Sequence, residues 1–135
     1  MKNYHEHIKA QSKLYQLTVY GFMVLVVLWI FMNIWGYRYI AEYKAKNQKN
    51  IIEGCAFYGG DYKNKYNINN FYIYIDGKGR YLNYEIVAKK FPYTKKRKDF
   101  YNDFKGNYEK CNKIKYIELN LVLTRKIFIY DYLPN

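Results

Sequence analysis

The side chains able to do chemistry in this chain are few, and their placement rules out most familiar reactions. His5 and His7 flank Glu6 near the N-terminus, and no histidine occurs after them. No serine follows Asn50 either, so neither a Ser-His-Asp nor a Cys-His arrangement can be assembled within residues 50–135. Cys55 and Cys111 stand far apart in the sequence, and without a neighbouring histidine they cannot give zinc its four nitrogen or sulfur ligands. Gly77-Lys78-Gly79 is too short for a phosphate-cradling loop and lies in a hairpin, not at a strand-to-helix step. The His5-Glu6-His7 group reads as a solvated tail; a metal ion shared between protomers is the sharper alternative, with no third ligand to favour it. The expectation is a non-enzyme with no catalytic residues, cofactor or metal.

Nine carboxylates remain after Asn50: Glu53, Asp61, Asp76, Glu85, Asp99, Asp103, Glu109, Glu118 and Asp131. Acid-base work on a glycan needs two of them held at a set separation. No spacing singles out a pair, so they are expected to serve the surrounding lysines.

Two features carry positive chemistry. Lys89, Lys90, Lys95, Lys96, Arg97 and Lys98 form a basic cluster interleaved with Phe91, Tyr93, Phe100 and Tyr101. A solvated loop is the plain reading; an anionic membrane surface or an acidic protein is the next, because basic residues and aromatic rings together favour such interfaces. Single-stranded nucleic acid, with rings stacking bases and lysines following phosphates, ranks third. Tyr72, Tyr74, Tyr81 and Tyr84 are candidate interface aromatics, against a plain reading of cross-strand packing.

The element that must carry all this begins with an apolar helix. Residues 14–37 contain no charge, and VLVVLWIFMNIW at their centre is apolar on every face. At ~1.5 Å rise per residue the segment reaches about 36 Å, enough to cross a hydrocarbon layer of about 30 Å. Tyr15 and Tyr20 lie toward one end and Trp35, Tyr37 and Tyr39 toward the other, where amphipathic rings settle at a membrane interface. The stretch exceeds a cleavable signal's apolar region, and no small-x-small site follows, so a signal anchor is expected. Type IV pilins also join an apolar helix to a β domain with a cysteine pair. Here the only Gly-Phe step is Gly21-Phe22, and the fifth position after it would be Val26 where that family has glutamate, so the resemblance fails.

The chain thus divides into a tail (1–13), a transmembrane helix (14–37), a helix extension and linker (38–49) and a small β-rich soluble domain (50–135). Helical phase is expected to continue to Lys46, with Glu42 and Lys46 as an i,i+4 pair. Lys2, Lys9 and Lys13 precede the span; Arg38, Lys44, Lys46 and Lys49 follow it, so charge does not set the orientation. The cysteine pair does favour one side: an even pair in a small exported domain is commonly a disulfide. Closing that loop of about 57 residues would stabilise by about 4 kcal/mol in the chain-entropy model. Two buried thiols are the alternative. An N-terminus inside and an extracytoplasmic domain follow from the disulfide reading.

Within the domain, alternation predicts a strand at Ile51–Tyr58 ended by Gly59-Gly60-Asp61, then a polar loop. A hairpin follows, Phe71–Ile75 and Arg80–Val87 about a turn at Asp76-Gly77-Lys78-Gly79. Thr94 is expected to cap a helix from Lys95 to Phe104, stopped by Gly106. Strands at Lys113–Leu123 and Lys126–Leu133 close the chain. Five antiparallel strands with one short helix between the third and fourth resemble a small barrel of the oligonucleotide/oligosaccharide-binding (OB) type; a plain antiparallel sheet with a helix on one face is equally consistent. The net charge of +12 favours anionic partners, although Lys, Asn, Ile and Tyr enriched together also signal an AT-rich coding bias. The expected role is a membrane-anchored, non-enzymatic interaction or accessory protein. Its partners are the bilayer and either another protein or a second copy of itself, with an OB-type single-stranded nucleic-acid module as the alternative.

Overall fold

A computed structural model describes residues 2–63, 65, 69–122 and 124–134; the side chains of 2–7, His5 and His7 included, and of 69 lie outside the described part. The chain divides into two compact units, Met1–Gly36 and Tyr37–Asn135.

The first unit is α1 (Lys2–Phe31), closed by a π-helical turn at Met32–Gly36. From residue 8 to residue 31 every side chain is exposed, including Leu25, Leu28 and Trp29. Rings and branched aliphatics on all faces, with no protein to cover them, make a helix that water solvates poorly. One helix, over Ile8–Lys44, is long and apolar enough to cross a membrane. Two of its polar side chains turn back on the backbone: Thr18 Oγ1 donates to the Leu14 carbonyl at 2.9 Å and Asn33 Nδ2 to that of Trp29 at 2.8 Å. Both groups therefore meet their hydrogen-bonding needs without solvent.

The second unit opens with α2 (Tyr37–Lys44) and continues through β1 (Ile51–Lys63), β2 (Asn69–Ile75), β3 (Gly79–Leu82), α3 (Tyr93–Phe104), β4 (Asn112–Asn120) and β5 (Arg125–Tyr132). The strands form one antiparallel sheet in the order β3-β2-β1-β4-β5, curled into a half-barrel. Beyond β3, Val87 makes a parallel bridge to Ile129 of β5, and Ile129 N–H donates to the Ile86 carbonyl at 2.9 Å. Strand order, the helix between β3 and β4, and this bridge share the connectivity of an OB-type barrel, a likeness that says nothing of function.

Alternation along β4 and β5 divides the apolar residues between two cores. Ile114 and Tyr116, with Ile127, Ile129 and Tyr132, face inward onto Phe100, Phe104 and Tyr93 of α3. Ile117, Leu119 and Phe128 point the other way and pack with Ala41 of α2, Ala88 and Phe91. Residues 37–44 are thereby built into the folded unit, because the methyl of Ala41 lets α2 lie close on the sheet. Cys55 of β1 is bonded to Cys111, just before β4, with a Cα–Cα distance of 5.1 Å. That bond ties together two strands that also share a ladder, in which Cys55 stands opposite Lys113.

Four local expectations are corrected. Strand β1 runs through Gly59-Gly60-Asp61 instead of ending there, because Gly60 takes a φ of 101° and forms a bulge that shifts the register between Tyr58 and Asp61. Strand β3 stops at Leu82, where Asn83 and Glu85 turn the chain: Phe71 N–H donates to Asn83 Oδ1 and Leu82 N–H to Glu85 Oε2. Helix α3 begins at Tyr93 with Pro92 as its N-cap, and Thr94 is no cap; its hydroxyl donates to the Ala88 carbonyl at 2.8 Å. Helix α2 ends at Lys44, and Glu42 pairs with Lys90, not Lys46. Leu123, the expected end of the fourth strand, and residues 64 and 66–68 of the expected polar loop lie outside the described residues.

Buried phenols give the core a pH signature. Burial, then a hydrogen bond to Asp103 at 2.8 Å, pushes Tyr132 up to about 12; burial, then a bond to Asp61, raises Tyr58, and burial raises Tyr93. Between the ordinary phenol value of 10.0 and the raised values the folded chain retains protons that the unfolded chain has released. Stability is therefore expected to fall as pH rises above 10, and tyrosinate absorbance should show a late-titrating class lost on unfolding. A single titration near 10 for every tyrosine would contradict this.

Candidate functional site

The six basic residues of the sequence cluster do not form one patch. Lys96 turns inward, its Nζ 2.9 Å from Asp131 Oδ1 and 3.2 Å from the Tyr132 carbonyl. Lys90 lies 3.9 Å from Glu42, which also accepts from the Lys90 backbone N–H at 3.2 Å. Lys89 is exposed. Lys95, Arg97 and Lys98 come together, and with Thr94 and Tyr101 they form one wall of a groove of about 410 Å³. Phe71 of β2 and Asn83, just past β3, form the other wall.

Helical periodicity explains this division. Thr94, Arg97, Lys98 and Tyr101 recur at three- and four-residue intervals and share a face, while Tyr93, Phe100 and Phe104 occupy the buried face. None of Lys95, Arg97 and Lys98 makes an ion pair among the described residues, in contrast to Lys96 and Lys90. Of the two acids of α3, Asp103 accepts from the Tyr132 hydroxyl, while Asp99 is exposed and makes no ion pair among the described residues. Three uncompensated cations thus stand in the first two turns of a helix whose first turn holds no acid, at the positive end of its dipole.

Asn83 completes the groove and was not visible as a site residue in the sequence. It is 3% exposed; its Oδ1 accepts from Phe71 N–H at 3.4 Å, and its Nδ2 donates to no group among the described residues. The floor is aromatic but covered. Phe71 is 4% exposed, and its ring lies 5.1 Å from that of Tyr101 and 5.7 Å from that of Phe104. Phe91, Tyr93 and Phe100, the other rings of the sequence cluster, are buried in the two cores. The interleaving seen in the sequence is therefore mostly core packing.

The four candidate tyrosines divide as well. Tyr81 faces the inner core, its hydroxyl donating to the Lys78 carbonyl at 3.0 Å. Tyr72, Tyr74 and Tyr84 lie outside that core. Tyr72 lies under Arg80 at 4.0 Å and edge-on to Tyr62 at 5.6 Å, while Tyr74 and Tyr84 are well exposed. Tyr74 leans over Gly59, where an added Cβ would meet its ring at 2.6 Å, so that glycine makes room for the ring.

Two further constellations were missed in the sequence. Glu118, 9% exposed at its side chain, lies 2.9 Å from both Lys78 and Arg125, joining the β2–β3 turn to the start of β5. A second cleft of about 300 Å³, lined by Tyr39, Tyr43, Phe91 and Tyr130, has Glu42 beside Lys46 and Lys90. Its one carboxylate pairs with Lys90, whereas the basic groove has no acid in its lining. Among the described residues no group of three or more His, Cys, Asp or Glu is placed to hold a metal ion.

No family model, curated protein or solved structure matches this chain.

Proposed function

We propose that this chain is a membrane-anchored, non-enzymatic binding protein whose β domain stands on the extracytoplasmic side and docks an acidic protein partner or the anionic membrane surface. The observation that carries this reading is the coexistence of two units: a helix whose apolar side chains find no protein cover, and a separate domain cross-linked by Cys55–Cys111. Lipid supplies the missing cover for the first, and an oxidising compartment maintains the second. The uncompensated face of α3 supplies a reason for an acidic partner.

Two measurements on intact cells test this. The protein should stay with membranes through a carbonate wash. Cys55 and Cys111 should react with an impermeant maleimide only after reduction, and without breaking the cytoplasmic membrane. Release by carbonate, or free thiols reachable only from the cytosol, would remove the reading.

One observation favours a second reading, a tethered single-stranded nucleic-acid module: the OB-type connectivity beside a basic groove. Burial of Phe71, Phe91, Tyr93 and Phe100 weighs against it, since covered rings offer bases no stacking surface.

A further inference from the structure

We infer that the outward face of β1–β3 is the docking surface for an acidic protein partner, one of whose carboxylates pairs with Arg80 within a patch of tyrosine rings. This deepens the reading of the domain as a binding module and rests on it.

Alternation sets the face. Ala56, Tyr58, Ile73, Ile75 and Tyr81 belong to the inner core, so Phe57, Tyr72, Tyr74, Arg80 and Leu82 point outward. The ladders set Phe57 opposite Tyr74 and Tyr74 opposite Arg80, with Tyr72 opposite Leu82 two residues along. On the other half of the sheet the same face is covered, because Ile117, Leu119 and Phe128 pack with Ala41 of α2, Ala88 and Phe91. Among the described residues no helix covers the β1–β3 half, where Tyr62, Tyr74 and Tyr84 are 37%, 43% and 45% exposed.

The bare half is organised. Arg80 reaches diagonally across the ladder and holds its guanidinium 4.0 Å from the centre of the Tyr72 ring, which meets Tyr62 edge-on at 5.6 Å. Glycine at position 59 leaves room for both outward tyrosines of β2, since an added Cβ would meet the Tyr74 ring at 2.6 Å and Tyr72 Cβ at 3.0 Å. Leu82 N–H donates to Glu85 and so fixes the turn that carries Tyr84. Burial, then the nearby Glu85, Tyr62 and Tyr72, raise the Tyr84 phenol, as expected of a ring in the same patch.

Composition narrows the occupant. Four of the chain's 23 basic residues are arginines, and one of them stands here. Strands β2 and β3 contain no lysine and no acid, and Arg80 makes no ion pair among the described residues. Tyrosine and arginine without lysine or glutamate is the makeup of the core of a protein–protein interface. A lone guanidinium among rings suits one carboxylate held bidentately, whereas an anionic bilayer or a nucleic-acid backbone calls for several cations within reach. Rings inclined at 66°, with Arg80 over one of them, offer neither a base nor a sugar a flat stack. A second copy would set Arg80, and a chain charge of +12, against their like. The cations of α3 add attraction at a distance and speed encounter with an acidic surface.

The test uses the full chain in the membranes of its own cells, with p-benzoylphenylalanine in place of Tyr74 or of Tyr84. Tyr108, 63% exposed and packed edge-on to Tyr58 of the inner core, is the control position. Irradiation should give the same protein adduct from both face positions and none from the control. The captured polypeptide, identified by mass and produced alone, is then titrated into the full chain in maltoside micelles. It should carry net negative charge, bind more weakly as salt rises, and lose about tenfold or more in affinity with Arg80→Gln or Tyr74→Ser. Arg80→Lys, which keeps the charge and loses the planar fork, should lose nearly as much, and reads the site even where Tyr74→Ser disturbs the sheet. K95Q/K98Q should slow association while leaving the dissociation rate within about twofold. A lipid or nucleic-acid adduct, a self-adduct, no adduct, a basic captured protein, or affinity indifferent to the Arg80 variants would overturn the inference. Because carbonate extraction and thiol labelling do not involve this face, failure here leaves the anchored-module reading separately measurable.

Discussion

Reducing Cys55–Cys111 is expected to destabilise the domain by about 4 kcal/mol, against a total of about 5–15 kcal/mol for an ordinary domain. The bond closes a loop with a sequence separation of 56 that contains most of β1, all of β2, β3 and α3. In the native chain it constrains little, because Cys55 and Lys113 already face each other across the β1–β4 ladder. Its effect falls on the unfolded ensemble, which becomes larger and more disordered once the link is cut. Urea unfolding of the full chain in micelles, oxidised and reduced, would measure this, with near-ultraviolet circular dichroism of tyrosine as the readout. Tryptophan is the wrong probe, since Trp29 and Trp35 both belong to the helical unit ending at Gly36. The midpoint should drop while the urea dependence steepens as more surface becomes exposed on unfolding. An unchanged midpoint would mean that the reduced chain keeps its loop closed by other contacts.

Phe100→Ala should cost about 3–5 kcal/mol, the range for removing a buried aromatic ring. Phe100 is fully buried, stacked on Phe104 at 4.5 Å and set edge-on to Tyr93 at 5.3 Å and Tyr132 at 5.0 Å. No described neighbour can move in to fill the space without disturbing the helix that bears the basic groove. Phe100→Leu, which keeps most of the volume, should recover a large part of the loss. Tyr101→Ala, one residue on and half-buried, should cost far less. A cost below about 1 kcal/mol for Phe100→Ala would show that α3 is held to the sheet by something other than this ring cluster. In either variant, the groove should loosen in proportion to the helix, because Lys95, Arg97 and Lys98 have no ion pairs of their own to fix them.

Much of the architecture was legible in the residues. An uncharged stretch over 14–37 demands a helix in any solvent that cannot bond its backbone, and β-branched and aromatic alternation after Asn50 demands strands. Both are properties of the chain within a few residues, where period and composition act directly. Turn chemistry was read well at Asp76–Gly79 and badly at Gly59-Gly60. The same glycines that end a strand also permit a bulge within one, and the choice depends on whether a partner strand continues beyond them.

The site was less legible, for a physical reason that individual residues make plain. Lys95 and Lys96 are neighbours of the same type, yet one lines a groove and the other is tied to Asp131, because adjacent helical positions differ by about 100° and the partner strand lies on one side only. Asn83 had no distinguishing signal until the β2–β3 ladder set it beside Phe71. Tyr81 and Tyr84 were read alike, but β3 ends at Leu82, so Tyr81 faces inward from the strand and Tyr84 is exposed in the turn beyond it.

By itself, then, the sequence determined what local periodicity and solvation free energy control: one apolar helix, a small β domain, a cysteine pair and the side chains needed to exclude common catalytic triads. Which cations remain uncompensated, which rings are covered and where the strands register depend on contacts between residues distant along the chain. Only the folded sheet brings those residues together, so only the tertiary structure could decide them.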